Sequence, residues 1–322
     1  MRWWVLGVVC LLVLVGGVLI GPTAISVGEV WQAIAGRGDH ATVGIVRDLR
    51  LTRALLAFAV GGSLAVTGAA LQALVRNPLA DPYLLGLSGG AGLGAVVAVS
   101  LGLTGAWALP MTAFVGSLLA IVVVYRLAIV AGQAIDPRVL LLGGVVVGAF
   151  AASLMGAFIA LSPAAEVRGA MLWLLGGFSG ASWTTLAVFA LYAVTPLALL
   201  FAVGRSLDLL ALGEEPARLL GADVERVKRT LYVAASLLTA AAVAVAGIIG
   251  FVGLVVPHAI RLTWGHTHRR LLPAAFLVGG CLLVVADALA RTAFAPLELP
   301  VGVVTAVIGV PVFVTLLRGW QE

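Results

Sequence analysis

The chain has 322 residues, of which 62% are hydrophobic and only 10% charged, with a net charge of +5 and a mean hydropathy of +1.17. A soluble domain carries roughly 25% charged and 45–50% apolar residues, so a freely soluble enzyme or nucleic-acid binder is excluded. The apolar residues also run continuously, without the alternation of membrane β-strands, which leaves an all-α, polytopic membrane protein.

A spanning helix needs ~20 mostly apolar residues, and ten such stretches are present: 3–21, 53–74, 84–103, 107–125, 138–161, 184–204, 230–248, 250–264, 272–292 and 301–317. The first begins MRWWVLGVVCLLVLVGGVLIG. Its apolar core is longer than the roughly 7–15 residues of a signal peptide and no small-residue cleavage site follows, so it is read as a membrane helix. Cys10 and Cys281 fall inside spans without disulfide or metal spacing and are read as packing residues. With the N-terminus inside, 13 of the 19 basic residues are cytoplasmic, and only Arg37, Arg47, Arg50, Arg53, Arg168 and Arg291 lie outside. The positive-inside bias therefore places both termini in the cytoplasm. No linker or composition shift marks off a second domain, so residues 1–322 are read as one membrane domain.

Along the chain, RDLRLTR comes first. Arg47, Arg50 and Arg53 recur every three residues and share one face of a helix, a basic cluster on the disfavoured outer side that suits either snorkelling to the lipid headgroups or an acidic partner. In VRNPLADPYLLGLSGGAGLGA, residues 75–95, Asn77-Pro78 and Asp81-Pro82 both break helix. The result is a tight cytoplasmic turn, suited either to a plain connector or to a constriction at the inner mouth of a pathway. Gly86, Gly90 and Gly94, and Gly144 with Gly148, have the small-residue spacing that lets membrane helices approach closely, within the chain or between subunits. The segment SPAAEVRGAMLWLLGGFSGASW is amphipathic and too interrupted to span. A short helix at the outer surface, ending near Gly176-Gly177, is expected there, with Trp173 and Trp183 in the interfacial aromatic belt.

GEEPARLLGADVERVKR, residues 213–229, is the densest charged stretch and contains the only lysine, Lys228. It faces the cytoplasm. His266-x-His268 is flanked by Arg269 and Arg270 with no carboxylate near in sequence, a poor metal site, and no metal or other cofactor is expected. Asp287 is the one acid well inside a span, and Arg291 follows at i+4, placed to neutralise it. A phosphate-binding P-loop requires Gly-x-x-x-x-Gly-Lys-Ser/Thr. Lys228 is followed by Arg229, so this chain does not hydrolyse ATP by that route, and no covalent chemistry is expected on it.

Four stretches together carry a resemblance. LRLTRALLAFAVGGSLAVTGAALQALVRNPLADPYLLGLSGGAGLGA, GEEPARLLGADVERVKR, GFVGLVVPHAIRLTWGHTHRRLLP and ADALARTAFAPLELPVGVVTAVIGVPVF resemble the permeases of type II ABC importers for iron–siderophore complexes, haem and vitamin B12. The similarity runs from about residue 49 to 317. One departure is Thr52, where the family often has Pro, expected to alter the helix start slightly.

The resemblance implies a homodimer in the bacterial inner membrane, with two ATP-binding cassette subunits below and a periplasmic binding protein above. It implies that short cytoplasmic helices at about 206–229 dock on the ATPase through Glu214, Glu215, Ala217, Leu220 and Gly221, with Arg218 and Arg226 at the rim. It implies a cytoplasmic gate at Asn77, Pro78 and Leu79 with Asp136 and Pro137 opposite, and docking of the binding protein at Arg50, Arg53 and Arg291. The implied cargo is an iron chelate, haem ahead of a ferric siderophore, with cobalamin the alternative. An ion-coupled secondary transporter, the rival class, would show repeated halves with midplane ion ligands, and a membrane-embedded enzyme would need a His/Asp/Glu cluster inside the spans. Neither pattern is visible.

Overall fold

The computed structural model describes residues 2–103, 105–130 and 135–318, and every regular element among them is helical. The ten predicted spans each fall on a helix: α1 (Arg2–Leu19), α4 (Thr52–Leu74), α5 (Leu87–Ser100), α6 (Ala108–Val130), α7 (Pro137–Leu161), α9 (Trp183–Ala202), α12 (Val224–Ala246), α13 (Val252–Trp264), α14 (His268–Thr292) and α15 (Val301–Arg318). Five shorter helices join them: α2 (Val27–Ile34), α3 (His40–Gly44), α8 (Ala164–Leu174), α10 (Gly204–Ala211) and α11 (Glu214–Leu219). Among the described residues, seven helices are long and apolar enough to cross a membrane, and α5 and α15 are shorter apolar helices. α13 has 13 residues, about 20 Å at 1.5 Å per residue, and crosses only part of the apolar layer.

α4 is the centre of the bundle. Every residue from Val60 to Leu74 is buried, as expected of a helix that is apolar all round. Its small residues admit α14 at close range. A methyl group at Gly61 would overlap the Gly279 backbone, while Gly62 carries Phe276 and Gly280 carries Phe58. The two glycine series read from the sequence are used within the chain. Gly90 and Gly94 of α5 lie against Gly116 and Thr112 of α6, and Gly86 and Gly89 lie against Gly144 and Gly148 of α7.

Three helix ends meet inside the bundle, and their backbone groups satisfy one another, as non-helical chain at membrane depth must. Gly177 N–H donates to Ala246 O at 2.8 Å, Ile248 N–H to Leu174 O at 3.3 Å, and Val301 N–H to Gly176 O at 2.9 Å. The Tyr83 hydroxyl donates to Ile249 O at 3.1 Å and accepts from Ile249 N–H at 3.0 Å.

This junction corrects one expectation in part. The C-terminal end of α8 is held against α12 and α15 within the bundle, and Trp173, half-buried, packs on the cluster of Ala91, Ala95, Ala113 and Val243. Trp183 is exposed and donates to Asp48 at 3.1 Å.

The outer arginines require a second correction. Residues Ile45–Leu51 form a π-helical turn leading into α4. The wider i→i+5 winding takes Arg47, Arg50 and Arg53 off a common face: Arg47 is exposed and Arg50 is turned inward. Thr52 is where the π turn ends, and its N–H bonds Leu49 O, a bond the family's proline could not make.

Candidate functional site

The cytoplasmic segment folds as two short helices. α10 ends at Ala211, Gly213 at φ 119° reverses the chain, and α11 follows with Glu214 and Glu215 in its first turn. Acidic residues there suit the helix dipole, but six residues are too few for a stable isolated helix. Tertiary contacts hold it. Ala217 is fully buried, whereas Leu212, Leu219, Leu220 and Glu215 face outward, and Gly221 at φ 83° ends the unit. Arg218 bridges Glu214 at 3.6 Å, Glu215 at 3.7 Å and Glu225 at 3.9 Å, and Arg226 is exposed.

The inner anchor is Lys228, whose side chain is only 2% exposed. Its ammonium donates to Ile135 O at 2.6 Å and pairs with Glu225 at 2.7 Å and Glu214 at 3.2 Å. Glu225 also accepts the Ile135 N–H at 3.0 Å. Both polar backbone groups of Ile135 are therefore taken by two residues one turn apart on α12. A buried ammonium survives only when paired and hydrogen-bonded, and here two carboxylates and a carbonyl meet it. Ile135 immediately precedes Asp136, whose carboxylate caps α7 through the Arg138 N–H at 2.8 Å, and Pro137 occupies the first helical position, where its missing N–H costs nothing.

The turn after α4 faces the same region. Asn77 accepts the Leu79 N–H at 2.9 Å across Pro78, and Asp81 accepts the Tyr83 N–H at 2.9 Å. Burial, partly offset by that N–H, pushes the Asp81 carboxyl up to about 6. Arg76 and Val75 line a cavity of about 620 Å³ together with Ile135, Asp136, Pro137, Arg138, Glu214 and Lys228. Asp136 and Pro137 of one predicted gate segment thus border the same space as Glu214 of α11 and the end of α4. Asn77 and Pro78 themselves line a second, neighbouring cavity.

At the outer end the three predicted arginines converge, but mostly inside the fold. Arg50, 3% exposed, donates to the carbonyls of Val18, Leu19 and Thr23 and so satisfies the C-terminal end of α1. Arg291, 4% exposed, donates to Gly17 O at 2.8 Å and pairs with Asp287 at 3.2 Å. Arg53 reaches both oxygens of Asp287, at 2.9 and 3.1 Å, and both of Glu298. Asp287 therefore has two arginine partners where the sequence offered one. Of this cluster, the Arg53–Glu298 edge is the part nearest the surface, with Glu298 the more open partner.

Other residues were placed differently or missed. His268, with no carboxylate near in sequence, pairs through Nδ1 with Asp208 at 2.8 Å, and no metal-binding cluster occurs among the described residues. Cys10 and Cys281 are free thiols in contact, their sulfurs 3.3 Å apart between α1 and α14. Lys228, Glu225 and Ile135 were not singled out as site residues. The available signal was that a single lysine stands three residues after a glutamate in an otherwise arginine-only chain.

The helices, long and apolar enough for lipid, define a multi-pass membrane protein. The FecCD transport family profile matches residues 8–319, and the chain belongs to that family, the permeases of ABC importers in bacterial membranes. It is 46% identical over 278 residues to the cobalamin import system permease protein BtuC of Halobacterium salinarum, covering 85% of this chain and 73% of that one. It is 40% identical over 312 residues to the hemin transport system permease protein HmuU of Yersinia pestis, covering 95% and 92%. A solved structure of an inward-facing metal-chelate type ABC transporter superposes with a TM-score of 0.88 at 27% identity, covering 98% of each chain.

Proposed function

We propose that this permease imports an iron chelate, haem ahead of a ferric siderophore, with cobalamin the alternative cargo. It would work as a homodimer with two ATP-hydrolysing subunits and an external binding protein. The observation that carries the transport reading is the joint at Lys228. It ties α11, whose outer face offers Leu219, Leu220 and Glu215 to a partner, to Ile135 at the mouth of α7. Movement of α11 under a nucleotide-driven partner is then passed to the gate segments, and the populations of inward- and outward-open states shift. Glu214, Glu215, Arg218, Leu220 and Gly221 are the docking surface in this reading, with Ala217 as its buried footing. Asn77, Pro78, Leu79, Asp136 and Pro137 are the gate.

Cargo identity rests on the relatives. The hemin permease at 40% identity favours haem. The 46% match to a cobalamin permease favours corrinoid as the second reading. For the outer face, the arrangement supports a narrower docking role than three free arginines: Arg53 with Glu298 presents the accessible edge, and Arg50 and Arg291 brace it.

The test is reconstitution with the cognate ATPase and binding protein in vesicles. Vanadate-sensitive uptake of haemin, exceeding that of cobalamin, is expected. Uptake that ignores ATP, or that runs on an ion gradient, refutes the importer reading. ATP-driven uptake of cobalamin alone refutes only the haem assignment.

A further inference from the structure

The second cavity at the cytoplasmic end has a composition that gating does not explain. It holds about 560 Å³ and is lined by Arg76, Arg261, His258, His266 and His268 together with Gln72, Asn77 and apolar Ala73, Pro78, Ala211 and Leu262. Among the described residues, no carboxylate lines it. Arg261 is oriented by Gln72, whose amide oxygen accepts from the guanidinium while its amide nitrogen donates to the carbonyls of Ala80, Gly253 and Leu254. His268 is 95% buried, its Nδ1 is engaged by Asp208, and its Nε2 is buried with no hydrogen-bond partner among the described residues. Arg76 stands at the mouth with φ 50°, a left-handed conformation rare for a side chain of this size.

The depth of the cavity is marked by aromatic rings. Trp264 ends the helix that carries His258 and Arg261, and it meets Trp3 edge-on at 4.5 Å. Tryptophans gather at the headgroup level of a bilayer. A cavity at that level with a cationic rim and an apolar wall fits an amphiphile with an acidic head, and basic pockets between membrane helices on the cytoplasmic side bind such lipids.

We propose that this cavity is a binding site for the phosphate headgroup of an anionic phospholipid of the cytoplasmic leaflet. The phosphate is held between Arg76 and Arg261 with the histidines around it, and the acyl chain lies against Leu262 and Ala73. Because Asn77 and Pro78 form part of the wall, the lipid sits against the turn after α4. The proposal is independent of which cargo is carried.

Native mass spectrometry of the full-length permease, released from nanodiscs holding equal phosphatidylglycerol and phosphatidylcholine, tests it. Wild type should retain phosphatidylglycerol in preference to phosphatidylcholine, and the preference should drop about fivefold when Arg76 is removed near the headgroup and by less when His266 is removed. Arg76→Gln and His266→Ala, both at exposed positions, are the informative variants because they leave the Gln72–Arg261 contact intact. Arg37→Gln, on the opposite side of the membrane, should change nothing. Equal retention in wild type and Arg76→Gln/His266→Ala overturns the site. Displacement of the retained lipid by inorganic phosphate overturns the lipid assignment in favour of a soluble anion. An effect of Arg37→Gln equal to that of Arg76→Gln shows general surface charge and overturns it as well.

Discussion

The ammonium of Lys228 lies 2.6 Å from the carbonyl oxygen of Ile135, in a pocket where the lysine is almost wholly shielded from solvent. That one contact joins α12 to the segment that opens α7, and Glu214 extends it to α11. The ends of three helices therefore move together or pay for an unpaired buried charge.

Lys228→Met should separate ATP hydrolysis from transport. Losing one member of a fully buried ion pair costs roughly 3–5 kcal/mol, and the cost here is smaller because Glu214 and Glu225 are partly open to solvent and keep Arg218 as a partner. The expected outcome is a complex that still assembles and hydrolyses ATP while uptake per ATP falls at least tenfold. Uptake and hydrolysis measured on the same vesicles decide it. An unchanged ratio would mean that the joint is structural only.

Glu214 and Glu215 should behave differently although they are neighbours. Glu215 is open to solvent and Glu214 is turned towards Lys228. Glu215→Ala should weaken ATPase docking modestly, since an exposed ion pair contributes only ~0–1 kcal/mol. Glu214→Ala should also loosen the Ile135 contact, and the double variant should lose ATPase stimulation altogether. Full coupled transport by the double variant contradicts the docking assignment.

Leu79→Cys with Pro137→Cys reports on the gate. In a background where Cys10 and Cys281 are replaced by Ala, crosslinking across the dimer should depend on bound nucleotide. A yield independent of nucleotide makes both ordinary loop positions.

Arg50→Ala and Arg53→Glu should fail in different assays. Arg50 donates to the last two carbonyls of α1 and to Thr23 O beyond it, and leaving such a group buried without a partner costs about 1–3 kcal/mol. Its loss should lower thermal stability. Arg53→Glu places a like charge against Glu298 and Asp287, and pairing it with Glu298→Arg should restore part of the stability. If Arg53 also meets the binding protein, the affinity loss should shrink as salt shortens the Debye length from roughly 30 Å at 0.01 M to 10 Å at 0.1 M. A salt-independent loss assigns Arg53 to packing alone.

The spans, their order and the inside–outside polarity were legible from residue types alone, because lipid admits only long apolar helices and penalises exposed backbone. The charged stretch 213–229 was likewise visible as the one dense polar segment in an apolar chain. Which side chains meet was not legible. Lys228 and Ile135 are 93 residues apart, and Arg53 and Asp287 are 234 apart, so no local spacing encodes either pair. The π turn at Ile45–Leu51 changed the direction of Arg50 by winding alone, and a three-residue period cannot register that. Composition and hydrophobic run length decide what a chain dissolves in and how often it crosses. The partner of each buried charge is decided only when helices distant in sequence pack, because desolvation forces every such charge to find whichever opposite group the packing brings within reach.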